Sequence, residues 1–201
     1  MNIKQANYDG ISYIAPTWEE MGDLCFTVAK KIMDAKKKYD RVIALAKGGW
    51  TWTRSLVDYL QIDKVASIQV KFYSDIGQTN ETPVILQSLP ISVDKEKILL
   101  FDDVVDTGKT VEIAKEYILK CGAKEVDLGS LFYKPHSVIK PEFYAYETNA
   151  WVVFPHELRE IIIQAGSKWL KNGLSKKEVL ERFSKLSLPK EQVKYFVNLL
   201  K

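Results

Sequence analysis

The sequence predicts an α/β fold: a mainly parallel sheet flanked by helices, followed by an all-helical C-terminal tail. Three observations carry this. Strand candidates lie at 65–73, rich in β-branched and aromatic residues, and at 126–132, and continuous apolar runs of strand length lie at 42–46 and 98–101. Such strands are apolar on both faces, as in a parallel sheet covered by helices. Segments with apolar residues at helical spacing lie between them, and from His156 onward helical spacing is the only pattern left.

The elements follow in order. Residues 8–15 read as a short strand with Tyr8, Ile11, Tyr13 and Ile14. Thr17-Trp18-Glu19-Glu20 reads as a capping box, a hydroxyl at the cap and a carboxylate three residues on. Trp18, Met21, Leu24, Cys25, Val28, Ala29 and Ile32 then share one helical stripe, which should fade at Lys36-Lys37-Lys38, where cations suit the dipole. The strand at 42–46 stops at Lys47-Gly48-Gly49, and a helical pattern runs over 55–60. Residues 65–73 are β-branched and aromatic, 74–83 are polar and aperiodic, and 84–86 return as a strand. The strand at 97–101 ends in Asp102-Asp103. A helix from about Thr107 carries Val111, Ala114, Tyr117, Ile118 and Cys121 on one face, and Gly122 sits where a C-terminal cap belongs. Residues 126–132, 143–146 and 151–154 are further strands. In the tail, Leu158, Ile161, Ile162, Ala165 and Trp169 form a stripe that Gly173 ends. Ser175 and Glu178 form a second capping box ahead of Val179, Leu180, Phe183 and Leu186, and Pro189 opens a last helix.

Composition narrows the function. With 201 residues the chain can bury a core without metals or disulfides. Two cysteines with no Cys-x-x-Cys pair exclude a disulfide framework or zinc knuckle, and two histidines, His136 and His156, exclude a His-rich metal site. No apolar run is long enough to span a membrane and no signal core precedes the fold, so a reducing cytoplasm is the expected compartment. The net charge of +3 divides unevenly: residues 151–201 carry +5 and residues 1–150 carry −2. A solvated lysine-rich helical face accounts for the tail as simply as an acidic partner would, so nucleic acid is not the expected partner.

Ligands of open parallel sheets bind beyond the carboxyl ends of the strands. Three such ends carry unusual residues: Lys47-Gly48-Gly49, Asp102 through Thr110, and Lys134-Pro135. In the second, two acids sit where a buried strand emerges, and Asp106, Thr107, Gly108, Lys109 and Thr110 sit where a helix begins. A helix N-terminus offers unpaired N–H groups and the positive end of a dipole, which favour phosphate. Gly108 admits close backbone approach, and Thr107 and Thr110 add hydroxyl donors. Asp102 and Asp103 are poor phosphate ligands but good acceptors for vicinal ribose hydroxyls or for water on Mg²⁺. The element therefore reads as a ribose-5-phosphate site. The alternative of a nucleoside-triphosphate P-loop ending in Gly108-Lys109-Thr110 fails, because its first glycine would fall on Asp103.

This element closely resembles the phosphoribosyl-pyrophosphate (PRPP) motif of type I phosphoribosyltransferases. The resemblance runs from Tyr13-Ile14 and Trp18 to about Glu157 and points to the 6-oxopurine branch, the xanthine–guanine and hypoxanthine enzymes, in an archaeal-like form. It implies the type I phosphoribosyltransferase fold with a small hood region, a catalytic domain over 1–155 and a helical extension over 156–201. It implies that Asp102 and Asp103 touch the ribose hydroxyls, that Asp103, with Asp102 beside it, organises Mg²⁺, and that Asp106 faces N7 of the purine. The turn over 107–110 would hold the 5′-phosphate. Lys47, Gly48 and Gly49 match the family's pyrophosphate loop, although the family usually has Arg-Gly-Gly, and a lysine is a point charge rather than a fork. Lys71 matches a basic PRPP contact, and 74–83 stand in the place of a mobile lid. Lys134 would recognise the purine O6. Trp151 would stack on the base, and the backbone of Val152 would bond its edge.

The implied reaction transfers the phosphoribosyl group from PRPP to a 6-oxopurine, with Mg²⁺ as cofactor, in a homodimer or larger homo-oligomer with no membrane partner. Two alternatives stand beside it: an adenine-type enzyme, and a regulator that senses purine or PRPP without turnover and binds nucleic acid through its tail.

Overall fold

The computed structural model describes residues 3–74 and 81–200. In chain order the elements are β1 (Lys4–Tyr8), β2 (Ile11–Ala15), α1 (Trp18–Asp34), β3 (Arg41–Ala46), α2 (Gly48–Leu60), β4 (Val65–Ser74), β5 (Glu81–Gln87), β6 (Lys97–Val105), α3 (Lys109–Lys120), β7 (Glu125–Tyr133), β8 (Phe143–Glu147) and β9 (Trp151–Val152). The tail adds α4 (Leu158–Ile161), a π-helical stretch (Ile162–Gly166), α5 (Ser167–Lys171), α6 (Lys176–Lys185) and α7 (Lys190–Asn198). Among the described residues no helix is long and apolar enough to cross a membrane.

The chain packs as two compact units, 22–149 and 1–21 with 150–201. The larger unit holds a six-stranded sheet in the order β5-β4-β3-β6-β7-β8. Its pairs are parallel except β4 with β5, which is antiparallel. Ile43, Leu45, Ile98, Leu100, Val126 and Leu128 alternate along the central strands and pack on Val111, Ala114 and Ile118 of α3. At the amino ends of the strands, Arg41 donates to both oxygens of Glu96, at 2.7 and 3.0 Å, and Lys64 donates to one of them at 2.8 Å. The Arg41 guanidinium foremost, and then Lys64, hold the Glu96 carboxyl below the usual carboxylate range against the opposing pull of burial. Polar groups at this end serve the fold, which leaves the carboxyl ends for chemistry.

The smaller unit has its own core. Tyr13, Ala15 and Val153 pack with Leu158, Ile162, Trp169, Val179, Phe183 and Val197. Arg182 donates to both oxygens of Asp9, at 2.8 and 3.1 Å, and its guanidinium lies over the rings of Tyr8 and Trp169. The tail is thus fastened to the first hairpin, so packing divides the chain differently from the boundary drawn at 155/156.

Both capping boxes form, Thr17 with Glu20 and Ser175 with Glu178. Gly122, at φ +98°, follows the C-cap of α3. Several expectations need correction. Residues 8–15 are not one strand: β1 and β2 form a hairpin turned at Asp9-Gly10, both with positive φ, as an Asp-Gly pair favours. Trp18 is exposed and lies off the buried stripe of α1. The strand expected at 151–154 shrinks to β9, which pairs with β2 in a separate small sheet. Residues 81–83 belong to β5 rather than to a loop, and 75–80 of the expected lid lie outside the described residues.

Candidate active site

The strand order places β4, β3, β6 and β7 side by side, so their carboxyl ends form one edge. Every segment singled out in the larger unit lies along that edge: Lys71 on β4, Lys47–Gly49 after β3, Asp102–Thr110 on and after β6, and Lys134 after β7.

Residues 47–49 depart from the loop expected of them. Lys47 is the N-cap, and Gly48 and Gly49 form the first turn of α2, well before the start expected near Ser55. Neither glycine has positive φ. Their role is close approach rather than unusual backbone. A Cβ on Gly48 would stand 2.4 Å from Asp103 Oδ1, and one on Gly49 would stand 2.4 Å from the Phe101 carbonyl oxygen. The first turn of α2 therefore rests against the end of β6. The first turn of a helix has N–H groups without helical partners, and this one lies against the Asp103 side chain. The exposed Lys47 adds a cation, and the Ala46–Lys47 peptide is cis.

The two glycines should respond differently to alanine. Gly49→Ala meets a backbone carbonyl and should destabilise the fold by about 1–3 kcal/mol in urea unfolding. Gly48→Ala meets the Asp103 side chain, which can rotate where a backbone carbonyl cannot, so it should cost less stability than Gly49→Ala while weakening binding of a ribose-phosphate ligand. Equal midpoints for the two variants would contradict this packing.

β6 runs past Phe101 to Val105, so Asp102 and Asp103 are strand residues. Asp103 is buried at 4% exposure and Asp102 is half-buried. Hydrogen bonding between them includes the Asp103 N–H donating to Asp102 Oδ1 at 2.9 Å. α3 begins at Lys109, later than expected, because 106–108 turn the chain. Gly108, at φ +82°, is its N-cap. A Cβ on Gly108 would stand 2.2 Å from Ser137 Oγ. The segment after β7 is fastened to the same turn by the Val138 N–H, which donates to the Thr107 carbonyl at 2.9 Å. Thr107 and Lys109 are exposed and Thr110 is half-buried.

The sharpest feature surrounds Asp106. Lys134 Nζ donates to its Oδ2 at 2.6 Å, and His136 Nε2 bonds its Oδ1 at 2.9 Å. Lys134 is 7% exposed, and its backbone N–H donates to the Val105 carbonyl at 3.0 Å. A buried ammonium needs a counter-charge, and Asp106 supplies one. The sequence reading missed His136, counting it only against a metal site; its position two residues after Lys134 was the available signal. Lys71 is exposed on β4, opposite Val84. Trp151 and Val152 belong to the smaller unit, paired with Tyr13 and Ile14. Trp151 is 46% exposed, so it is not a core tryptophan, whereas Val152 is buried.

The acids at the end of β6 and the glycine turn ahead of α3 stand together at the carboxyl edge of a parallel sheet, the arrangement expected of a ribose-phosphate site. Residues 17–160 match the phosphoribosyl transferase domain, and the chain belongs to that family. It is similar to a purine phosphoribosyltransferase from Pyrococcus horikoshii, with 34% identity and a TM-score of 0.65 over 71% of this chain and 93% of that one. A xanthine-guanine phosphoribosyltransferase from Gluconobacter oxydans is 23% identical over 155 residues, 76% of this chain and 89% of that protein. A Neisseria gonorrhoeae protein solved with bound ppGpp is 25% identical, with a TM-score of 0.65 over 78% of this chain and 92% of that one.

Proposed function

We propose that the protein transfers the 5-phosphoribosyl group from PRPP to a 6-oxopurine (hypoxanthine, guanine or xanthine), giving the nucleoside 5′-monophosphate and pyrophosphate in purine salvage. One observation carries the choice of base: the 2.6 Å pair of Lys134 Nζ and Asp106 Oδ2. It sets a donor beside an acceptor. The N7–H and O6 edge of a 6-oxopurine offers the complementary acceptor and donor. The 6-amino group of adenine would turn a donor toward an ammonium that has only donors. This argues against the adenine-type alternative.

The remaining roles follow from charge and placement. Asp102 and Asp103 accept from the ribose hydroxyls. The turn over 107–110 holds the 5′-phosphate with the first N–H groups of α3 and the hydroxyls of Thr107 and Thr110, with Lys109 adding charge. Lys47 and the N–H groups at Gly48 and Gly49 face the pyrophosphate, and Lys71 adds a cation on the neighbouring strand. Hard carboxylate oxygens suit Mg²⁺. Asp103 and Asp102 are the donors that would hold it, directly or through water, and it would offset the charge of the leaving pyrophosphate. As N9 attacks the anomeric carbon, Asp106 takes the proton from N7, and Lys134 draws charge onto O6. Trp151 and Val152 are proposed as base contacts on the family resemblance. Catalytic residues thus fall within 1–155, and the extension 156–201 contributes packing. Exposed Ile163, Tyr195 and Leu199 support homodimeric or larger assembly through the tail. Burial pushes the Cys25 thiol up to about 12, so it is not a reactive nucleophile, and we propose a cytoplasmic location.

Nucleotide formation tests the reading. The purified protein with PRPP and Mg²⁺ should convert hypoxanthine, guanine or xanthine to its monophosphate, and chelating the metal should abolish turnover. No nucleotide from any of the three would refute it.

A further inference from the structure

None of the roles above falls on His136. It nevertheless makes the second of the two contacts that hold Asp106, on Oδ1, while Lys134 holds Oδ2. Lys134 and His136 flank Pro135 just beyond the end of β7, so both donors reach the carboxylate from one segment. That segment is itself fixed. The Ser137 N–H donates to the Lys134 carbonyl at 2.9 Å, and Ser137 Oγ donates to the Ile139 carbonyl at 2.8 Å. The two donors differ in exposure: the Lys134 side chain is buried, whereas that of His136 is 53% exposed.

A carboxylate held at one oxygen can still rotate about its Cβ–Cγ bond. A donor on each oxygen fixes its plane, and each oxygen keeps acceptor capacity for an incoming N–H. The distinction matters when a purine arrives. Lys134 then divides its three N–H donors between O6 and Asp106 and can shift toward the base. A donor that makes no use of O6 keeps the acid aimed. An imidazole carrying its proton on Nε2 does this whether neutral or charged, with the Asp106 carboxylate, itself paired with Lys134, as the charged group it meets.

We propose that His136 is a positioning residue for Asp106. It fixes the carboxylate plane so that Asp106 meets N7–H in line, and it keeps that plane when Lys134 engages O6. The inference rests on the 6-oxopurine reading.

A double-mutant cycle tests it, with kcat for hypoxanthine and KM for PRPP measured for each protein. His136→Ala should lower kcat about tenfold, the cost of a charge-assisted hydrogen bond, and leave KM for PRPP within about twofold. His136→Gln, whose amide can donate from nearly the same place, should recover most of the loss. In an Asp106→Asn background the His136→Ala change should be less than about twofold, because there is no base left to aim. Melting curves establish that each variant folds. An equal loss in both backgrounds, no loss in either, or a loss that glutamine fails to rescue would overturn the proposal. If the wild-type protein forms no nucleotide, the 6-oxopurine reading fails and takes this inference with it. Wild-type turnover with additive effects overturns this inference alone.

Discussion

Asp106→Asn is expected to lower kcat for hypoxanthine by about 10² to 10⁴, the range that a positioned acid–base group contributes. The substitution keeps the shape, and the asparagine carbonyl still accepts from one of Lys134 and His136 while its amide NH₂ faces the other donor. What it removes is the capacity to take a proton, together with the counter-charge for Lys134. KM for PRPP should move little, because Asp102, Asp103 and the 107–110 turn are untouched. Steady-state kinetics with PRPP and hypoxanthine varied in turn separates the two effects. A fall of less than about threefold in kcat would take Asp106 out of the chemistry. A large rise in KM for PRPP with kcat preserved would instead make it a sugar ligand.

Lys134→Ala should show the second large effect, and its signature is selectivity. The ammonium is buried on Asp106 at 2.6 Å. Removing it deletes the donor for O6 and one of the two contacts that hold the acid. A lost hydrogen bond to a charged group costs about 1.5–3 kcal/mol, so kcat/KM for hypoxanthine should fall roughly 10- to 150-fold. Adenine makes no favourable use of this lysine, so its kcat/KM should fall far less or rise. The expected outcome is a collapse of the hypoxanthine-to-adenine ratio. Parallel losses for both bases would mean that Lys134 supports the site without reading the base.

The sheet and its carboxyl edge were legible in the sequence for a physical reason. Strands buried on both faces leave unbroken apolar runs, and polar residues at the ends of such runs stand out. Asp102, Asp103 and Asp106 follow the unbroken apolar run 98–101, so their placement at the carboxyl end of that strand needed no tertiary information. The two capping boxes were legible because their partners lie three residues apart. What escaped depends on contacts between distant segments. Gly48 and Gly49 read as a permissive loop, whereas the structure uses them to seat α2 against Phe101 and Asp103, some fifty residues later. His136 read as a lone histidine because its partner lies in the turn after β6, 30 residues away. The Asp9-Gly10 turn was local and readable, but the eight residues around it passed for one strand because Tyr and Ile continue on both sides. The fastening of Asp9 to Arg182 spans 173 residues, and nothing in the local pattern of either segment announces it.

The central claim is that this edge joins PRPP to a purine chosen through its 6-oxo group. The most direct measurement is a competition: hypoxanthine, guanine, xanthine and adenine at equal concentration, with limiting PRPP and Mg²⁺, and the monophosphates resolved by chromatography. The account predicts that 6-oxopurine nucleotides make up nearly all of the product and that pyrophosphate appears in equal amount. Predominant adenosine monophosphate, or PRPP left unconsumed with every base, would contradict it.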